Sequence, residues 1–208
     1  AYFSQKGLKP TYSYLDMLKG EHDRAFTVAK MMDIDLLETV QKSMKDALAN
    51  GESLQTFKKK LTPTLEKAGW WGKKEVVNAD GSISKIQLGS SSRLDTIYRT
   101  NMQSAYAAGH WQAIQEQKEF MPYLMYDAVD DSATRQEHAA LDGIVKPVDD
   151  VFWTYAMPLN GYNCRCGTIQ MDSDMLEQYG LSITKSSDIP SIKGIPKGVD
   201  SNFAHNPG

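Results

Sequence analysis

Apolar residues recur every three or four positions through the first third of the chain, and this spacing predicts amphipathic helices. A first helix is predicted over 13–32, "SYLDMLKGEHDRAFTVAKMM", interrupted only by Gly20. A second is predicted over 33–51, where one apolar stripe consists of Ile34, Leu37, Val40, Met44 and Leu48. Gly51 predicts the end of this helix, because glycine readily adopts the left-handed conformation of a C-terminal cap.

A third helix is predicted over 52–69, with an apolar face formed by Leu54, Phe57, Leu61 and Leu65. Pro63 lies inside this segment and predicts a kink or a division of the helix, since proline lacks the N–H that bonds to the preceding turn. Stripes of this kind are typical of a buried core. Residues 1–68 are therefore interpreted as a helical N-terminal part.

The pattern changes at residue 69. Trp70 and Trp71 lie between glycines, and we interpret them as packing residues at the junction of two subdomains. The turn sequence "NADG" (78–81) follows Val77 and precedes Ile83. It predicts a β-hairpin with Gly81 at a positive φ.

The longest predicted helix extends from about residue 92 to 119, with Ser92 and Asp95 as its capping box. Beyond it the pattern predicts a buried strand over 122–129, a short helix over 135–142, a loop with an aromatic anchor over 144–153, a strand over 166–171 and a short helix over 173–180. Thr134 and Glu137 form the predicted capping box of the first short helix, and Gly143 its predicted end.

Proline, glycine and serine recur from residue 186 onward, which predicts an extended tail that is ordered only where it lies on a partner or on its own domain. The predicted fold class is α+β. It comprises the N-terminal helical part (1–68), a mixed domain with one long helix, a β-hairpin and a small sheet (69–185), and the extended C-terminal tail (186–208).

Composition narrows the classes of protein that the chain can belong to. Of its 208 residues 41% are hydrophobic and 10% aromatic, which is enough to form a core. The net charge of −3, from 23 basic and 26 acidic residues, argues against a dedicated nucleic-acid coat or a polybasic membrane binder.

No apolar run approaches the roughly 20 residues that span a bilayer, so we expect no membrane association. The first residues lack a signal-peptide core, and the absence of an initiator methionine predicts a fragment or a processed chain.

The two cysteines are the first candidates for chemistry, because both lie in "NGYNCRCG" (160–167). Cys164 and Cys166 are too close in sequence for an ordinary disulfide, whose ring would be strained. Paired metal ligands, a reactive thiol and two buried core residues remain as alternatives. Arg165 lies between them and, on an extended chain, faces away from both.

His138 is the nearest histidine and makes a third candidate metal ligand. A structural zinc normally has four nitrogen or sulfur ligands, and here Asp130, Asp131 or Asp142 could complete the set with an oxygen. The alternative is that Cys164 and Cys166 are small buried residues and that His138 bonds to a turn.

Enzymatic motifs are weak or absent. The zinc deaminase pattern requires H-x-E and P-C-x-x-C, whereas His138 is followed by two alanines and the cysteines are spaced C-x-C. Thiol catalysis by Cys164 or Cys166 with His138 and an aspartate is formally allowed, but no nucleophile signature surrounds either cysteine. The acidic pairs at 130–131 and 149–150 are interpreted as caps and turns.

Five blocks in fixed order carry a stronger signal: "GWWGKKEV", "QLGSSSRLDTIYRTNMQSAYAAGHW", "TRQEHAALDGIVKPVDDVFW", "MPLNGYNCRCG" and the terminal "GVDSNFAHNPG". Together they resemble the Mu F-like family of phage head-morphogenesis, or minor head, proteins. The resemblance covers essentially the whole chain and is strongest between residues 69 and 167.

The resemblance implies a non-enzymatic, minor capsid component of a Mu-like phage or prophage, acting in head morphogenesis near the portal or in the head interior. The implied partners are the portal, scaffold or major capsid proteins, with a weak contact to packaged DNA. The implied location is the virion, after assembly in the cytoplasm of the bacterial host. The helical N-terminal part is then the expected docking surface.

In this interpretation His138, Cys164 and Cys166 hold the C-terminal domain together. We expect them to do so without a metal, since three soft ligands fall short of the usual four, and a structural zinc is the alternative. A thiol- or metal-dependent hydrolase, or a toxin-like module, that uses the same three residues is the competing function. A DNA-binding accessory protein is a third hypothesis.

Overall fold

The computed structural model describes residues 2–13, 16–17 and 21–208, with only the backbone of residues 22 and 23. The chain forms two compact units, Ala1–Met102 and Gln103–Gly208, and the division between them falls inside the longest helix. Helices and small sheets occur together, which confirms the α+β class. The domain boundaries expected after residues 68 and 185 stay a prediction.

The first unit contains the helices α1 (Glu21–Arg24), α2 (Ile34–Asn50) and α3 (Leu54–Lys67). Helix α2 begins where the Asp33 carboxylate accepts bonds from the backbone N–H groups of Asp35 and Leu36. It ends at Gly51, whose φ of 61° is the left-handed cap that the sequence predicts.

Pro63 does not divide α3, which continues as one helix from Leu54 to Lys67. Phe57, Leu61 and Leu65 on its inner face are buried. A proline inside a helix removes one backbone hydrogen bond and its ring crowds the preceding turn, and the burial of this face favours the continuous helix against that cost. A division at Pro63 is therefore wrong, whereas the alternative of a kink stays a prediction.

The first predicted helix is also partly wrong. Residues 14, 15 and 18–20 lie outside the described residues, and α1 accounts for only Glu21–Arg24. The next two residues form the strand β2 (Ala25–Phe26), which pairs in parallel with β1 (Gly7–Leu8). Phe26 and Val28 are both buried, which is the alternation of an extended chain.

The predicted hairpin is present as β3 (Lys73–Val77) and β4 (Ile83–Gln87), with Gly81 at a φ of 81°. Trp70 precedes it and is buried within the first unit. Its indole N–H donates to the Lys30 carbonyl at 2.8 Å, and the Arg93 guanidinium lies 4.9 Å from its ring centroid. The packing role predicted for Trp70 is thus confirmed, whereas the place of the two tryptophans at a junction of subdomains stays a prediction.

The long helix α4 (Ser91–Gln117) begins one residue earlier than predicted, and Ser90 is its cap. The Ser90 hydroxyl accepts a bond from the Arg93 N–H. Asp95 does not serve in a capping box, because its carboxylate forms an ion pair with Lys58 at 2.6 Å.

The second unit is built around an antiparallel sheet in the order β6–β5–β7, formed by β5 (Tyr123–Asp127), β6 (Val145–Pro147) and β7 (Gly167–Met171). One face of β5 presents Leu124 and Tyr126 to an apolar cluster that includes Ile114 of α4. The opposite face presents Tyr123 and Met125 to a second cluster. The sheet is therefore covered on both sides.

Two further helices flank the sheet, α5 (Gln136–Ala139) and α7 (Ser173–Gln178). The capping box expected for α5 is not formed, because the Thr134 hydroxyl bonds to the Val129 carbonyl instead. The loop expected over 144–153 is wrong at both ends: its start is β6, and its end begins the helix α6 (Phe152–Ala156). Trp153 is the buried aromatic anchor that was expected.

The C-terminal tail lies on its own unit. It contains a 3-10 turn (Ser186–Asp188) and a small hairpin of β8 (Ser191–Ile192) and β9 (Ile195–Pro196). Ile189 and Ala204 of the tail are buried. The tail is therefore ordered by lying on its own unit, which is one of the two conditions for order expected from the sequence. Among the described residues, no helix combines the length and the apolar content needed to cross a membrane.

Substituting Gly89→Ala tests the packing around Trp70. A Cβ at this position would lie 2.4 Å from the Trp70 carbonyl oxygen and 2.5 Å from the Trp71 ring. We expect the free energy of unfolding to fall by about 1–3 kcal/mol, because backbone must shift to make room. Urea denaturation followed by tryptophan fluorescence would measure the change.

The matched control is Gly109→Ala in α4, where no described atom lies within 4 Å of the added Cβ. There alanine should stabilise by up to about 1 kcal/mol, since it is the better helix former. Equal effects of the two substitutions would contradict the packing assigned to Gly89.

Candidate functional site

Three side chains from distant parts of the sequence meet in the second unit: His138, Cys164 and Cys166. The Nδ1 atom of His138 lies 3.6 Å from the Cys164 Sγ and 3.6 Å from the Cys166 Sγ. All three potential ligand atoms lie within 4.8 Å of one another. We call this group the Cys–His cluster.

The cysteines lie in the segment that leads into β7. Asn163 has a φ of 57°, which lets the chain turn sharply before Cys164, and the Cys164 N–H donates to the Gly161 carbonyl at 3.1 Å. Each sulfur atom lies 3.6 Å from the His138 Nδ1, and Arg165 between the two cysteines binds Asp131. Both sulfur atoms therefore point toward His138, while Arg165 points elsewhere.

His138 is held by the short helix α5 and is buried, with 4% of its surface exposed. Directly after α5, the Leu141 N–H donates a hydrogen bond to the His138 carbonyl. The chain then turns at Gly143, whose φ is 72°. The Gly143 N–H donates to the Tyr126 carbonyl, which anchors this segment to the central strand. The imidazole is thus held between the sheet and the cysteine segment.

Tyr126 and Asn160 complete the surroundings of the cluster, and sequence reasoning missed both. Each is fully buried, and the Tyr126 hydroxyl donates to the Asn160 Oδ1 at 2.7 Å. Burial, followed by hydrogen bonding with Cys166, raises the pKa of Tyr126, so the hydroxyl remains a donor. The tyrosine in a predicted buried strand was the signal that could have identified it, because a buried hydroxyl needs a partner.

The two thiols are inequivalent. Hydrogen bonding with Cys166, and then burial, raises the pKa of Cys164. Hydrogen bonding with Cys164, followed by that with His138, lowers the pKa of Cys166. Cys166 is also the more exposed of the two side chains.

The aspartates considered as further ligands do not join the cluster. Asp131 binds the Arg165 guanidinium through two bonds of 2.6 and 2.7 Å, and this lowers the pKa of the carboxyl. Asp142 accepts a bond from the Ala128 N–H at 2.8 Å. Asp130 is exposed. Among the described residues, the group of potential metal ligands consists of the histidine and the two cysteines.

The C-terminal tail closes over the same region. Gly198 lies so close to α5 that a Cβ would be 2.5 Å from the Glu137 carbonyl oxygen. The Asp200 N–H donates to the Asn160 carbonyl at 3.1 Å. The Phe203 ring packs edge-on against Tyr162, with 4.9 Å between centroids. The tail therefore holds together the two segments that supply the cluster.

This geometry allows two kinds of chemistry. Two sulfurs and an imidazole can ligate a soft or borderline metal ion. A thiolate beside an imidazole can also act as a nucleophile, but that role needs a third group to orient the histidine. None of the three aspartates considered from the sequence is in the cluster of the described structure.

Comparison with known proteins identifies a family and two relatives to which this chain is similar. A family described as Phage Mu protein F like protein matches residues 38–169. The putative capsid assembly protein F of Escherichia phage Mu is 38% identical over 200 residues, which are 96% of this chain and 46% of that protein. The Mu-like prophage FluMu F protein of Haemophilus influenzae is 36% identical over 190 residues, which are 91% of this chain and 45% of that protein.

The chain thus spans just under half the length of these curated relatives. No solved structure matches it.

Removing one hydroxyl tests the polar surroundings of the cluster. The substitution Tyr126→Phe leaves the buried Asn160 Oδ1 without its donor. We expect the free energy of unfolding to fall by about 1–3 kcal/mol, which is typical for an unsatisfied buried acceptor. Chemical denaturation, followed by near-ultraviolet circular dichroism, would measure it.

Tyr106→Phe is the matched control, because this side chain is 73% exposed. Its effect should stay within about 0.5 kcal/mol, as for other surface substitutions. A loss at Tyr126 no larger than that at Tyr106 would contradict the role assigned to the buried bond.

Proposed function

Because the chain belongs to the Phage Mu protein F like family, we propose that it is a structural component of the head of a Mu-like phage or prophage and acts in capsid assembly. The observation that carries this proposal is the match of 96% of the chain to a relative named as a putative capsid assembly protein. The proposed role is non-enzymatic.

The proposal extends to position and partners. We place the protein among the minor components of the head, near the portal or in the head interior, in contact with portal, scaffold or major capsid proteins. It is incorporated during assembly in the host cytoplasm and remains in the virion. Its contact with packaged DNA is weak, since acidic residues outnumber basic ones by 26 to 23.

The β3–β4 hairpin supports a role in protein–protein assembly. Val77 and Ile83 face each other across its end, and 74% and 69% of their surfaces are exposed. Large apolar side chains that lie together in solvent are typical of an interaction surface. The hairpin forms its own two-stranded sheet in the described structure, so both of its edges can accept a further strand.

The turn of this hairpin is held by side-chain hydrogen bonds, which favours docking. The Asp80 carboxylate accepts bonds from the backbone N–H and the hydroxyl of Ser82, and these bonds lower the pKa of Asp80. The Asn78 side chain donates to the same hydroxyl at 2.8 Å. A surface that is already ordered loses less conformational entropy when it binds.

Incorporation into heads tests the proposal directly. The chain would be produced with the head proteins of a Mu-like phage that lacks its own copy, and assembled heads would be separated by gradient sedimentation. We expect the wild-type chain to sediment with the heads. The double variant Val77→Lys, Ile83→Lys should be depleted from them by about tenfold or more, because lysines in a docked apolar interface would be desolvated.

Phe120→Lys is the control, since Phe120 is an apolar residue of the second unit with a similar exposure of 80%. It should enter heads normally. If both variants are lost to the same extent, the hairpin has no special role. If the wild-type chain remains at the top of the gradient, the assembly function itself is wrong.

A further inference from the structure

The Cys–His cluster has a symmetry that a single two-centre hydrogen bond does not explain. Both sulfur atoms lie 3.6 Å from the same nitrogen, Nδ1 of His138. That nitrogen can donate one hydrogen bond or accept one, according to the tautomer. One two-centre S–H···N or N–H···S bond therefore accounts for one of the two contacts, and the second sulfur atom lies equally close without such a bond of its own to this nitrogen.

A shared metal ion accounts for both contacts at once. Zinc binds cysteine sulfur at about 2.3 Å and histidine nitrogen at about 2.0–2.1 Å, in tetrahedral geometry. At tetrahedral angles these bond lengths separate a sulfur ligand from a nitrogen ligand by about 3.6 Å. The two measured distances have this value.

The chemistry of the donors agrees with zinc. Thiolate and imidazole ligands favour zinc over magnesium or calcium, which prefer oxygen. Cys164 and His138 are buried, whereas Cys166 is only partly buried, so the cluster is open to solvent on the side of Cys166. Three protein ligands leave one tetrahedral position free, and in such sites water commonly fills it.

We propose that His138, Cys164 and Cys166 bind one zinc ion, with a water molecule as the fourth ligand. The sequence alone favours a metal-free cluster, because a structural zinc usually has four protein ligands and the sequence offers three soft ones. A bound water removes the need for a fourth protein ligand. The ion joins α5 to the segment that precedes β7, two parts of the chain that are 26 residues apart. Its binding therefore adds to the stability of the second unit.

Zinc content and stability test the site on the full chain. The reduced protein would be stripped with a chelator, supplied with zinc alone, freed of excess metal and analysed by inductively coupled plasma mass spectrometry. We expect about one zinc per chain. The thermal midpoint of the wild-type protein should fall by several degrees on stripping and return with zinc, because the ion binds the folded state.

Substitution of each proposed ligand tests which side chains bind the ion. Zinc content should fall about tenfold or more in His138→Ala, Cys164→Ser and Cys166→Ser, since each removes a ligand. His110→Ala is the matched control, because His110 is part-buried in the same unit but bonds to Thr168 at 3.2 Å. It should retain the full zinc content. The wild-type comparison with and without metal remains decisive even if a ligand variant fails to fold.

Cobalt(II) reports the geometry and the open position. The cobalt-substituted wild-type protein should show the intense visible absorption of a tetrahedral site with sulfur ligands, and added imidazole should shift this spectrum by displacing water. A tetrahedral spectrum that imidazole leaves unchanged would overturn the open fourth position. Failure of the reduced wild-type chain to retain zinc, or full retention by the three ligand variants, would overturn the site itself. Neither outcome would bear on entry into phage heads, so this proposal and the proposed function can fail separately.

Discussion

The antiparallel pairing of β5 with β7 is the constraint on which the second unit depends. Its register sets Tyr126 opposite Thr168 and Leu124 opposite Gln170, so these side chains share one face of the sheet. Cys166 directly precedes the first residue of β7, so this register also positions the segment that carries both sulfur atoms. A slip of one residue would turn both sulfur atoms to the other face, away from His138.

Several contacts fix this register from outside the strands. The Gln170 amide donates to the carbonyl oxygens of Ile114 and Met121, at 3.1 and 2.8 Å, which fastens β7 to the end of α4. The buried bond between Tyr126 and Asn160 joins the central strand to the segment before the cysteines. Because each contact satisfies a polar group that would otherwise be unpaired, a different register would be costly.

Much of the fold could be predicted from the sequence, and the errors have identifiable causes. Helix α2, the hairpin, β5, β7 and α7 were found because their periodicity or turn chemistry is local. The helix predicted through residues 25–32 was wrong, because Ala25 and Phe26 pair with a strand that lies far away in sequence. The capping box at Thr134 failed for a similar reason: the hydroxyl had a better partner at Val129.

For the site, the sequence by itself determined the three candidate side chains and, through the C-x-C spacing, the expectation that Arg165 faces away from both sulfur atoms. It also determined the family, since five separated blocks agree in order. Only the tertiary structure decided that His138 meets both cysteines, that Asp131 is held by Arg165, and that the tail closes over the cluster. The physical reason is that residue spacing sets the direction of a side chain within one segment, whereas distances between segments depend on the packing of the whole sheet.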